Sequence, residues 1–416
     1  MRKVTLNMNG DIFLYTVLIY AFAFERVFAQ LATPFSYMDE ILCIIVVLRL
    51  IFTVNWLYKR EITVIIGLIT LSSIGFIGNV RSGLINNYFY IAVDLISTIK
   101  VWLSFYAIRI SWKNEKFFND LLKCLASFGR ILSYIMFAFL MLSHIVDTGM
   151  FGAARFGIRS FMFIFNNPGN FSKLFYFLIP LLTADMTYGK SIYKSASLGV
   201  ALVVWGSTMR SRALAFILIY ILFYILFFIV KREDLKNFAS KIKIWYVIPL
   251  ILVAAYVTRD QIIFYFTTVT QARSVLLRYG LQTLKRYFPI GAGFGTYGSD
   301  IAAVHYSKLY SDYGFNAIYG MRPNEAYFLN DNFWPMIFGQ FGIVGTIIQI
   351  YVLFVFSKNV LDNTRSNVYM YFSSFVALGF LLLSSVASKS YCEFSSICVF
   401  MLMGVLVNTQ KSSKEI

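Results

Sequence analysis

Apolar runs, most of about 17–23 residues, recur from one end of this chain to the other; that is the length an α-helix needs to cross a hydrocarbon core of about 30 Å. Backbone N–H and C=O groups in lipid must be satisfied within the structure, so a chain of such runs is restricted to a helical bundle or a closed barrel. Runs this long are helical rather than strand-like. Twelve spans are predicted: 11–30, 37–56, 62–79, 88–110, 125–147, 172–187, 195–208, 212–230, 244–258, 333–356, 367–386 and 391–408. The seventh has the length of a half-helix. With 59% hydrophobic and only 14% charged residues, the chain has no counterpart among soluble domains of its size. The expected fold is therefore an all-α polytopic membrane protein, one integral domain over 1–416. The first run carries Glu25 and Arg26 near its outer end. No small-residue cleavage site follows it, so it reads as a retained helix.

Lys and Arg set the expected orientation. With a cytoplasmic N-terminus, the inside segments hold most of the basic residues, including Lys59, Arg60, Lys113, Lys116, Lys190, Lys194, Lys358 and Arg365. The short outside segments hold Arg81, Arg155, Arg159, Lys173, Arg210, Arg212 and Lys389. That bias places both termini inside and the long 259–331 segment outside. The net charge of +17 then reflects inner-leaflet anchoring. A nucleic-acid partner would require a basic stripe on a soluble module, which the sequence lacks.

Cys43, Cys124, Cys392 and Cys398 lie in or beside apolar runs, so no disulfide framework is expected. His144 and His305 are far apart and lack partners at ligand spacing, so no transition-metal site is expected. No internal repeat is visible, although a secondary transporter of this size is usually built from two related halves.

The 259–331 segment is the one long polar stretch. It contains a helical pattern at 271–286, with Val275, Leu276, Leu281 and Leu284 as its apolar stripe. A turn follows, Pro289-Ile-Gly-Ala-Gly-Phe-Gly-Thr-Tyr-Gly298, then Tyr306, Tyr310, Tyr313, Tyr319 and Tyr327. Disordered linkers are poor in aromatics, so a folded cap is expected. The glycine turn lacks the preceding strand and the following Lys-Ser/Thr of a nucleotide loop. Its glycines read instead as backbone that needs positive φ.

Candidate chemistry gathers on the same side. Arg210 and Arg212 flank Ser211 at the outer end of the eighth run, with Arg212 opening the helix. They read either as snorkelling anchors or as part of an anion clamp, since guanidinium forks match phosphate oxygens. Spaced i, i+2, they do not share a helix face. Arg273 and Arg278 on the loop helix read as a solvated face or as further phosphate ligands. Asp331 and Asn332 open the tenth run, where Asp or Asn is a favoured cap. A carboxylate there could equally orient or deprotonate an acceptor hydroxyl. Gly339, Gly342 and Gly345 follow a spacing that permits close helix packing. Within the apolar runs, Asp94 and Lys100 are charges that mark function or pairing, although i, i+6 is too far for a direct pair. Glu25, Arg26, Arg109 and Arg130, nearer the ends of runs, read as snorkelling.

With these residues in view, the chain resembles the bacterial O-antigen ligase and polymerase superfamily. The resemblance covers the whole topology and three local signatures: Ser211-Arg212-Ala213-Leu214 opening a helix, Arg273 followed by a helix and the glycine turn, and Asp331-Asn332-x9-Gly342-x-x-Gly345. The last is similar to the ligases' His-Asn-x9-Gly-x-x-Gly, with Asp331 in place of histidine. That departure favours a Wzy-type repeat-unit polymerase. The resemblance implies a glycosyltransferase C-like fold. The implied reaction joins undecaprenyl-pyrophosphate-linked oligosaccharides on the outer face of the bacterial cytoplasmic membrane, into O-antigen, capsular or exopolysaccharide. It implies Asp331 as the catalytic group, Arg210, Arg212, Arg273 and Arg278 as pyrophosphate ligands, and Asn332, Tyr297 and Tyr327 as sugar contacts. No cofactor or metal is called for, because pyrophosphate is already an activated leaving group. A flippase and a chain-length regulator are the implied protein partners. The alternatives are a ligase-like glycan transferase and, from another class, a lipid-linked oligosaccharide flippase.

Overall fold

The computed structural model describes residues 2–31, 37–53, 57–111, 113–229 and 271–410, with side chains from residue 10 onward. Eleven of the twelve predicted runs fall on helices, and the run at 244–258 lies outside the described residues. The helices that match runs are α1 (Arg2–Ala23) with α2 (Glu25–Leu31), α3 (Met38–Thr53), α4 (Lys59–Ser82), α5 (Tyr88–Arg109), α6 (Glu115–Ile145), α7 (Pro168–Asp185), α8 (Ile192–Gly206) and α9 (Ser211–Ile229). In the segment at 271–331 lie α10 (Ala272–Arg286), α11 (Asp300–Val304) and α12 (Lys308–Asp312), followed by α13 (Phe333–Thr364), α14 (Val368–Ser385) and α15 (Ile397–Asn408). Among the described residues, α4, α5, α6, α9, α13 and α14 are long and apolar enough to cross a membrane. The pair α1–α2 makes a seventh if it is one span, but it bends by 79° at its break.

Three features depart from the sequence expectation. First, a hairpin precedes α7: β1 (Phe151–Arg155) pairs antiparallel with β2 (Ile158–Phe161) across a Phe156-Gly157 turn. Both turn residues have positive φ, 53° and 78°, which matches the twist of a two-residue hairpin turn. Second, the last apolar run is α-helical only from Ile397; residues 386–396 form a connector that ends in a 3-10 turn, Phe394–Ser396. Third, Arg109 does not snorkel. It is buried, with Nε 2.5 Å from Glu61 Oε1 and Nη1 3.1 Å from Asn408 Oδ1. Arg130 likewise pairs with Asp185 rather than reaching outward alone. A buried cation is tolerated only when it is matched in this way.

The segment at 271–331 folds as a cap with its own small core, including Val275, Leu276, Tyr297, Leu309, Tyr310 and Phe315. Tyr310 stacks on Phe315 with centroids 5.2 Å apart. On α10 the buried stripe is Val275, Leu276, Gly280 and Thr283. Leu281, expected on that stripe, is exposed, because at i+5 and i+6 from Leu276 and Val275 it falls to one side of it.

The cap is bolted to the bundle through the glycine turn. Gly291, Gly293, Gly295 and Gly298 all have positive φ, so the turn's N–H and C=O groups face the helices below. Asn79 on α4 both donates to Phe294 O and accepts from Phe294 N, each at 2.8 Å. Ser82 Oγ donates to Ala292 O at 2.7 Å. Asp94 on α5 accepts from Gly295 N at 2.5 Å and from Gln340 Nε2 at 2.8 Å. Asp94 therefore latches the cap, and Lys100 pairs elsewhere, with Asp39 at 2.5 Å. On α13 the turn meets a break: Gly342 sits at φ 61°, ψ −159° inside the helix, and Gly339 O and Gln340 O accept from Ala292 N and Gly293 N, each at 2.9 Å. A Cβ at Gly342 would collide with the backbone of Pro289 and Gly291. Of the three spaced glycines, Gly339 and Gly342 thus receive the cap, while Gly345 faces Leu71 of α4.

Candidate active site

The docked cap fixes where its charged residues fall. Gly280 of α10 lies against the backbone of Pro335, where an added Cβ would stand 3.0 Å from Pro335 O. That crossing carries the first turn of α10 over the start of α13, and Arg273 Nη2 stands 3.7 Å from Asp331 Oδ2. Arg212 reaches the same end of the bundle from α9. Its Nη2 donates to Ala387 O at 3.0 Å and its Nη1 to Ser388 Oγ at 3.3 Å. It also shares a hydrogen bond with Tyr176 on α7. Arg212, Arg273 and Asp331 come from three separate parts of the chain, and both arginines act on the Asp331 carboxyl.

Two further residues belong to this group. Lys173 on α7 pairs with Glu393 of the connector, Nζ to Oε2 at 2.8 Å. Both act on Asp331. Three cations, Lys173, Arg212 and Arg273, thus stand around two carboxylates. Beside them the connector's Lys389 pairs with Asp300 of the cap, and Asn330 also bonds Asp300. Trp334 Nε1 donates to Ser385 Oγ at 3.0 Å, closing α13 onto the end of α14 next to the connector.

The carboxylates are pulled in opposite directions. Burial raises the Asp331 carboxyl above its ordinary range, against the pull of Arg273 and Lys173. Burial also works to raise Glu393, but Lys173, Lys389 and Arg212 together outweigh it and hold that carboxyl below its ordinary range. Asp300, whose side chain is about half exposed, is brought down to about 2, chiefly by Lys389. Asp331 is therefore the one of these three carboxyls that is raised, the direction that suits a group taking up a proton.

The remaining sequence candidates distribute differently. Arg210 is turned away from Arg212: its Nη2 donates to Asn167 Oδ1 at 2.6 Å, at the start of α7. Arg278 is exposed and lies over the Tyr279 ring at 5.9 Å. Five residues after Arg273, it faces another side of α10. Tyr297 is fully buried and its hydroxyl donates to Leu276 O at 2.7 Å, so it packs the cap core and cannot present its ring to a sugar. Tyr327 is 65% exposed, four residues before Asp331. Asn332 occupies the cap position of α13, yet its side chain makes no capping bond. Its buried Oδ1 has no hydrogen-bond partner among the described residues. Neither half of the Asp331-Asn332 pair is thus spent on capping. Sequence reasoning missed Lys173 and Glu393 as site members. The available signal was Lys173 itself, a cation in a segment that the charge reading assigns to the outer side, against the usual bias.

No family model and no curated protein matches this chain.

Proposed function

We propose that the chain is a membrane glycosyltransferase of about twelve spans with a glycosyltransferase C-like arrangement. In this reading it polymerises lipid-pyrophosphate-linked oligosaccharide repeat units at the cap end of the bundle, outside the cytoplasmic membrane, with both termini inside. The observation that carries the proposal is the convergence of Arg212, Arg273 and Lys173 around Asp331, beneath a folded, aromatic-rich cap. Fixed cations suit the charge that develops on a departing pyrophosphate, and Asp331 suits an acceptor hydroxyl. Lys59, Arg60, Lys113, Lys123 and Lys194 sit at the opposite end from the cap, as the charge bias requires of a cytoplasmic face.

The step balances without a further reactant. The bond from the anomeric carbon to the phosphate oxygen breaks, and its electron pair leaves with the lipid pyrophosphate. The acceptor oxygen bonds to that carbon, and its proton passes to the Asp331 carboxylate. Arg212 and Arg273 hold the leaving group, and Tyr327, 65% exposed near Asp331, is the sugar contact this reading retains, since Asn332 is buried.

The test is genetic and chemical together. Cells lacking the chain should accumulate single lipid-linked repeats in place of long glycan. The wild-type gene should restore polymer, and an Arg273→Ala variant at matched protein level should not. Long glycan persisting in the deletion strain would refute the polymerase reading. Full-length glycan that fails only to reach its final acceptor would favour the ligase-like transferase.

A further inference from the structure

Resting on the lipid-pyrophosphate reading above, we propose that Lys173 is a third cationic ligand of that pyrophosphate, and that Glu393 is the positioning residue that holds its ammonium in place. Lys173 stands in the second turn of α7, and Glu393 lies in the connector before α15. Their contact is 2.8 Å, with the lysine side chain 21% exposed and the glutamate 9%. The carboxylate is thus the sunken, fixed partner and the ammonium the accessible one. An ammonium carries three N–H donors. Glu393 occupies one, and it is the one ion-pair partner of Lys173 among the described residues, which leaves donors for a ligand's oxygens. Ser395 Oγ donates to the same Glu393 Oε2 at 3.3 Å, which further fixes the anchor.

Position supports the assignment. Lys173 acts on Asp331 more strongly than Arg212 does, second only to Arg273. A narrow cleft of mixed lining, with Phe165, Leu174 and Phe394 beside Asn170, Lys173 and Glu393, opens next to the pair, and Lys173 is the more exposed of the two partners. Arg273 is partly compensated by Asp331 at 3.7 Å. A pyrophosphate arriving with two or more negative charges therefore needs further cations, and Lys173 is one whose charge acts on Asp331.

The experiment uses the purified full chain in detergent with inorganic pyrophosphate as the probe, titrated calorimetrically, and with melting temperature recorded for every variant. The double variant Lys173→Gln/Glu393→Gln removes both charges, so neither is left buried and unpaired. Its affinity should fall about tenfold or more, while Lys173→Arg stays within about threefold of wild type. Glu393→Gln keeps an acceptor for the ammonium and should likewise retain affinity. Glu393→Ala should lose it roughly as far as the double variant does. Wild-type affinity in the double variant, with loss in Arg273→Gln, would overturn the role of Lys173 and leave the pyrophosphate site standing. Failure of the wild-type chain to bind the probe at all would overturn both.

Discussion

At the scale of single residues, the account turns on which charges do chemistry and which only hold the fold. Asp331 makes no capping bond, so Asp331→Asn should leave the melting temperature nearly unchanged while cutting polymerisation by about 10²-fold or more. Its carboxyl is raised by burial, so the rate should climb with pH through a limb above the ordinary carboxyl range of about 4. That limb should vanish in the Asn variant. The stability signs follow separately. Asp300 and Glu393 are held low, so their contribution is present above the unfolded carboxyl pKa and is lost as pH falls toward about 2 for Asp300. Asp331 is held high, so it opposes folding as pH rises through the same region. For the arginines, Arg212→Lys and Arg273→Lys should fail nearly as badly as the alanine variants. Lysine keeps the charge but not the planar fork, and Arg212 uses two arms of that fork at once, on Ala387 O and Ser388 Oγ. Wild-type chain length from both lysine variants would reduce these residues to anchors.

At the scale of elements, the joint between the glycine turn and the break in α13 decides whether the site exists. Gly342→Ala puts a Cβ at φ 61° and against Pro289 and Gly291. It should cost about 1–3 kcal/mol, and limited proteolysis should then cut the cap at 271–331 faster than in wild type. Asp94→Ala strips Gly295 N and Gln340 Nε2 of their shared acceptor and should do the same, at about 1–3 kcal/mol for the groups left unsatisfied. An intact cap in both variants would mean that other contacts dock it. This joint also shows what the sequence could convey. The positive φ of the turn's glycines was legible from their density, and the D-N-x9-G-x-x-G pattern located α13's start. That Gly342 breaks a helix to receive Gly291 was not legible, because long-range contact leaves no periodic trace. The cap's buried tyrosines looked like ligand contacts for the same reason: Tyr297 and Tyr327 differ in burial, not in local pattern. Lys173 and Glu393 meet only when α7 and the connector are folded together, and nothing in either segment names the other.

At the scale of the whole molecule, the charge bias and the cap's position give a topology that can be probed directly. Tyr319 of the cap is 71% exposed, which makes it a suitable place for a label. A cysteine at Tyr319 should react with a membrane-impermeant thiol reagent in intact spheroplasts. Labelling only after lysis would reverse the orientation and remove the outer-face chemistry.

The central claim is that this chain makes glycosidic bonds from lipid-pyrophosphate donors. The most direct measurement is reconstitution of the purified chain into liposomes with lipid-linked repeat units extracted from cells that lack it. The account predicts a ladder of polymer, with one lipid pyrophosphate released per bond formed and no ladder from Asp331→Asn. Movement of unaltered repeat units across the bilayer without any bond formed would contradict it and establish a transporter instead.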